Sequence, residues 1–195
     1  ALTAPTSGEP ASFEDMGTSI TYALNGFAAT VTLPNGQTVA AMVLSGNTGV
    51  NAGDYTAVVR LAGGNFVWAG GSSAALAFDW EITPQRLSIP TIGDASESSG
   101  AVYQSTYLPG EGQSLATQYA RLFGFDAELM SFAASAGASY SNGQVAANYV
   151  GTYTITVAFK QIAGGNYCWA DGSAGSIRLT WEITPATYDL EAAGF

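Results

Sequence analysis

The sequence predicts an all-β chain built as two tandem β-sandwich domains. A duplicated block, a two-residue hydrophobic period and turn signals at short intervals predict it. Ala62–Pro84 reads AGGNFVWAGGSSAALAFDWEITP and Ala163–Pro185 reads AGGNYCWADGSAGSIRLTWEITP, with thirteen of twenty-three aligned positions identical at a constant offset of 101. All four tryptophans lie in this block, Trp68 and Trp80 in the first copy, Trp169 and Trp181 in the second. Such spacing implies two copies of one domain, residues 1–85 and 86–195, rather than a single 195-residue core.

Within the first copy, Leu33-Pro34-Asn35-Gly36-Gln37 is a turn with Asn-Gly at its tip. Tyr55, Ala57, Val59 and Leu61 then alternate with Thr56 and Arg60, the pattern of a strand packed on one face. Ala69-Gly70-Gly71-Ser72 reads as a hairpin turn. The closing strand carries Phe78, Trp80 and Ile82 inward. Pro84-Gln85 is the domain junction, and the absence of a Gly/Ser spacer predicts a stiff joint.

In the second copy, Leu87-Ser88-Ile89-Pro90 matches Leu2-Thr3-Ala4-Pro5 at an offset of 85. Gly151-Thr152-Tyr153-Thr154 matches Gly53-Asp54-Tyr55-Thr56 at an offset of 98. The second copy is thus longer by about sixteen residues. Most of the excess is expected between Thr91 and Tyr149, around 100–140, with three residues near Gln161. Ser114–Ala133 spaces Leu115, Tyr119, Leu122 and Phe123 as a helix would, leaving helix ended by Gly124 and irregular strand both open. Tyr153, Ile155, Val157 and Phe159 share one strand face, opposite Thr154, Thr156 and Lys160. Ala170-Asp171-Gly172-Ser173 repeats the hairpin-turn signal, and Ile177, Leu179, Trp181 and Ile183 point inward on the closing strand. Thr187–Leu190 is read either as the beginning of a third unit or as the true end.

Composition narrows function by exclusion. The chain carries five Lys and Arg against fifteen Asp and Glu, a net charge of −10 divided equally between the copies. That sign disfavours nucleic acid and anionic membrane surfaces as partners. No apolar run reaches membrane-span length. The absence of histidine removes the usual general base, metal ligand and pH switch. The lone Cys168 cannot form a disulfide within the chain, and its counterpart Val67 points to a packing position. Without an initiator Met or signal peptide, Ala1 is expected to begin an excised fragment.

Asn51-Ala52-Gly53-Asp54-Tyr55-Thr56 and Tyr149-Val150-Gly151-Thr152-Tyr153-Thr154 look like the approach to a tyrosine corner, in which a strand-start Tyr bonds back to the preceding backbone. With the following Asn-aromatic-x-Trp, the Gly-rich turn and the closing Trp-Glu-Ile-Thr-Pro, each copy resembles the tandem immunoglobulin-like repeats of large surface proteins of Gram-positive and gut bacteria. The resemblance covers the C-terminal third to half of each copy. It implies a non-enzymatic stalk, spacer or adhesion module, extracellular, at the cell surface or secreted. Its implied partners are neighbouring repeats of the same chain and host or cell-wall glycans or proteins.

The candidate sites are weighed against that passive reading. Trp80 and Trp181 lie on apolar strand faces and read as core. Trp68, Trp169 and Tyr167 are the candidate ligand-binding aromatics, provided that the face they share with Phe66 or with each other is exposed. They support the alternative of a carbohydrate-binding module or an accessory region of a secreted glycan-active enzyme. No catalytic set and no cofactor are expected. Glu81 and Glu182 fall in different copies, while Glu14-Asp15 and Asp126-x-Glu128 read as solvated loop acids. Asp94 and Glu97, near the joint, leave calcium open. An isopeptide would need Lys160, and a thioester would need Cys168.

Overall fold

The structure, a computed structural model, describes residues 1–14, 16–94, 100–102, 105–107, 113–115, 118–141, 143–161 and 165–185. Its regular structure is all β, with no helix among the described residues. The strands in chain order are β1 (Ala11–Ser12), β2 (Ile20–Thr21), β3 (Thr30–Thr32), β4 (Thr38–Ala40), β5 (Met42–Ser45), β6 (Thr48–Gly49), β7 (Gly53–Leu61) and β8 (Leu76–Thr83). There follow β9 (Gln85–Leu87), β10 (Thr91–Asp94), β11 (Gly100–Val102), β12 (Ser105–Tyr107), β13 (Gln113–Leu115) and β14 (Gln118–Phe123). The last are β15 (Met130–Ala134), β16 (Ala138–Ser141), β17 (Gln144–Ala147), β18 (Gly151–Phe159), β19 (Tyr167–Trp169) and β20 (Ile177–Thr184). Two compact units result: Ala1–Arg86 with Gly165–Cys168, and Leu87–Gly164 with Trp169–Phe195.

The first unit is organised on the sheet β1-β8-β7-β5. The period-two pattern dictates its packing: Ala57, Val59, Trp80 and Ile82 are buried, while Thr56, Arg60, Asp79 and Glu81 face water. β3 and β4 form the expected hairpin, closed by bonds from Leu33 N to Gln37 O and from Gly36 N to Leu33 O. The N-terminal segment changes partners along its length. Thr6 bridges Asn25, but Ala11 and Ser12 pair in parallel with Ile82 and Thr83 of β8.

In the second unit the sheets β11-β20-β18-β15 and β10-β14-β17-β16 turn their inner faces into one core. Tyr153, Ile155, Val157, Trp181 and Ile183 come from the former, and Ala120, Leu122, Val145 and Ala147 from the latter. The segment left open between helix and strand resolves to strand. Within β14, Ala120 and Leu122 are buried while Tyr119 and Phe123 are exposed, so the two-residue period prevails over the helical spacing. Gly124 (φ 70°) turns the chain after a strand rather than ending a helix.

Strand register locates the extra length of the second copy more finely. Ala11 and Ala101 occupy equivalent places, opposite Ile82 and Ile183, at an offset of 90. Met42 and Met130, opposite Leu61 and Phe159, are equivalent at an offset of 88. Tyr55 and Tyr153, opposite Trp80 and Trp181, stand at 98. The offset therefore grows by ten between Met130 and Tyr153, where the β16–β17 hairpin is added. By the same rule Ile20, opposite Gly49, matches Gln118, opposite Ala147, at an offset of 98, so the second copy is also longer between Ala101 and Gln118, inside the range 100–140, and shorter from there to Met130.

Both tyrosine corners form. The Tyr55 hydroxyl donates to Asn51 O and the Tyr153 hydroxyl to Tyr149 O, each at 2.7 Å. Tyr153 is buried, whereas Tyr55 is only half-buried. A hydroxyl removed from a drier site leaves a costlier unpaired carbonyl. Tyr153→Phe is therefore expected to destabilise its unit by about 1–2 kcal/mol and Tyr55→Phe by about half as much. Urea unfolding of the two variants checks this; equal losses would contradict it.

Candidate functional site

The three aromatics offered as a binding platform are not available as one. Trp68 is 4% exposed, Trp169 0% and Tyr167 6%. The cause is local and duplicated. The Trp68 indole donates to Ala74 O at 2.8 Å and the Trp169 indole to Gly175 O at 2.7 Å. The backbone repeats the match: Trp68 N bonds Ser72 O and Gly71 N bonds Trp68 O, as Trp169 N bonds Ser173 O and Gly172 N bonds Trp169 O. Each indole thus closes the Gly-rich loop that follows it, and Gly71 (φ 83°) and Gly172 (φ 87°) supply the left-handed residue. Phe159 stacks on Trp169 at 4.1 Å, and Phe13 meets Tyr167 edge-on at 5.3 Å. The loops turn as expected but are not hairpins, since β8 pairs with β1 and β7, and β20 with β11 and β18.

The tryptophans read as core are buried, Trp80 at 6% and Trp181 at 0%. Their surroundings differ. Trp80 lies between Tyr22 (5.1 Å, 5° between planes) and Tyr55 (4.7 Å, 26°), and its indole donates to Gly46 O at 3.0 Å. Among the described residues Trp181 has only the tilted Tyr153 ring as partner (5.6 Å, 37°), and its Nε1–H is buried without an acceptor. Gly46 can present its carbonyl because the chain bulges there at φ 70°.

Beside the Tyr22–Trp80–Tyr55 stack the first unit has an open cavity of about 680 Å³. Ser7, Gly8 and Pro10 form one wall. The other is made by neighbouring positions of β7 and β8, with the carboxylates Asp54, Asp79 and Glu81. Register places Asp54 directly opposite Glu81, and Thr56 opposite Asp79 with its hydroxyl donating to Asp79 Oδ1 at 2.9 Å. Among the described residues no basic side chain lines this cavity. Sequence reading passed over it, because Tyr22 and Gly8 lie in the poorly matched early part of the copy. The available signal was the departure of Asp54 and Asp79 from their counterparts Thr152 and Thr180.

The remaining candidates are distributed rather than assembled. Glu81 and Glu182 are exposed, and they belong to separate units. Asp126 Oδ1 accepts from Glu128 N at 2.8 Å, an Asx turn leading into β15. Glu14 is exposed; Asp15 and Glu97 lie outside the described residues. Among the described residues no group of three or more His, Cys, Asp or Glu could hold a metal ion. Lys160 Nζ donates to Ala127 O at 2.5 Å. Cys168 is a buried free thiol, whereas Val67, its counterpart, is 40% exposed. No helix among the described residues is long and apolar enough to cross a membrane.

Compared with protein-family models and with curated proteins, the chain matches none.

The contrast between Trp80 and Trp181 has a measurable consequence. Phe in place of Trp80 would strand the Gly46 carbonyl, while Phe in place of Trp181 would remove a buried donor that has no partner. Trp80→Phe is expected to cost about 1–2 kcal/mol more than Trp181→Phe in chemical denaturation; the reverse order would refute this account of the two sites.

Proposed function

We propose that the chain is a non-enzymatic structural module, two tandem immunoglobulin-like β-sandwich repeats that act as a stalk or spacer in a bacterial cell-surface or secreted protein. The observation that carries this reading is the duplicated interior. Each copy spends its large aromatics on the same two tasks: the Tyr-to-backbone corner facing a buried Trp, and the indole that ties down the following loop. In both places the rings serve the fold instead of a ligand. Neighbouring repeats of the same chain are the natural partners, with host or cell-wall glycans or proteins at the distal end. The carbohydrate-binding alternative loses its three proposed rings to burial.

A spacer should yield to force one repeat at a time. Single-molecule pulling of the chain is expected to give two unfolding events, each releasing roughly 300 Å of chain at about 3.3–3.6 Å per residue. One event spanning the whole length would contradict independent repeats. Protease shaving of intact source cells should release peptides from this segment; their recovery from the cytoplasmic fraction alone would overturn the surface assignment.

A further inference from the structure

We propose that the first unit binds an extended basic peptide as an added strand, in the gap between Ser7–Pro10 and the free edge of β8. Three independent observations meet there. The first is an open sheet edge. β1 covers β8 only at Ile82 and Thr83, so among the described residues Leu76–Glu81 has a ladder partner on the β7 side alone. Unpaired backbone groups along such an edge are a template for another strand.

The second is that the gap is held open. Thr6 pairs with Asn25, and the Gly8 N–H donates to the Tyr22 hydroxyl at 2.8 Å, which draws this wall away from β8 until Ala11. Gly8 fits against the Ala23 carbonyl only because it lacks a Cβ. Tyr22 is itself fixed against Trp80. The cavity of about 680 Å³ is thus framed by buried aromatics.

The third is charge. Asp54, Asp79 and Glu81 line the cavity without a basic neighbour in it, and Asp54 and Glu81 oppose one another across the ladder. Like charges so placed destabilise a sheet, and a cationic side chain brought alongside Glu81 from the free edge offsets that repulsion. The second unit has Thr152 and Thr180 in place of Asp54 and Asp79, so the fold itself does not require those two acids, while Glu81 is matched by Glu182. The unpaired backbone edge beside the acids fits a cation carried on an extended peptide backbone. Asp79 and Glu81 are two apart on one strand and project to the same side. A matching peptide therefore carries Lys or Arg at alternate positions.

The test uses the intact chain and a synthetic peptide alternating Arg and Val. Controls are a peptide of the same composition with the arginines contiguous, and one with a central Pro. The alternating peptide should bind, slow amide exchange at Leu76–Glu81 and leave Ile177–Trp181 unchanged. Its affinity should fall roughly tenfold in Asp79→Asn/Glu81→Gln, the loss expected from two opposite-charge cross-strand pairs. Equal binding of the contiguous-arginine or Pro-containing peptide would reduce the interaction to diffuse electrostatics and overturn strand addition. Absence of binding by the alternating peptide, or protection appearing equally at Ile177–Trp181, would overturn the site. The exchange measurement needs no variant, so it stands even if the double substitution perturbs folding.

Discussion

Each unit depends on one cross-strand contact, a tyrosine directly opposite a tryptophan on adjacent antiparallel strands. Tyr55 faces Trp80 and Tyr153 faces Trp181. The tyrosine reaches outward from this pair through its hydroxyl to the loop four residues earlier, which fixes where the strand begins. The tryptophan reaches inward and fills the space beneath the sheet, and aromatic pairs of this kind stabilise beyond the area they bury. Ile82 and Ile183, two residues further along, share the inward direction by the strand's own period and are fully buried. Strand order, burial and loop entry follow from that pair.

The two copies have diverged around this shared contact rather than in it. In the first unit the indole is enclosed by a second ring, Tyr22, and bonded through the Gly46 bulge. In the second, the indole is more deeply buried between two sheets, and its N–H goes unpaired. An unsatisfied donor of this kind costs about 1–3 kcal/mol. The smaller first unit meets its polar groups locally, at the expense of a bulge and a crossover of the N-terminal segment. That crossover opens the cavity, so the cavity is a by-product of how the first core is closed, and its acids are an addition to it.

Legibility in the sequence followed the strength of local signals. The all-β class, the inward residues of β7, β8, β18 and β20, the Asn35-Gly36 turn and both tyrosine corners rest on alternation or on short turn chemistry. The sequence was misleading where one residue type serves two purposes. Trp68 and Trp169 sit on short strand-like runs beside polar loops, as a sugar-binding ring would, and only the indole bonds to Ala74 and Gly175 show that the loop folds back over them. Leu115, Tyr119, Leu122 and Phe123 satisfied a helical period by coincidence, while Ala120 and Leu122 set the true face. The extra residues could be placed only coarsely because offsets can be read only between matched blocks; the equivalence of Met42 with Met130 emerges from pairing partners, not from neighbouring letters.

The same contrast bears on function. A repeat that only transmits force needs closed edges and a dry interior, since an exposed strand edge invites unwanted pairing. In both units the parallel strand covering the closing strand is short, two residues in β1 and three in β11. Acids on the solvent face are one of the ordinary protections for such an edge. Scattered acids would serve that purpose, but Asp54, Asp79 and Glu81 are concentrated at one cavity, and two of them oppose each other across a ladder. Their arrangement raises the free unit's electrostatic cost while leaving the rest of β8 from Leu76 to Phe78 without a charged side chain. Edge protection alone would favour the opposite distribution, so the concentration is better explained by a cationic strand received there.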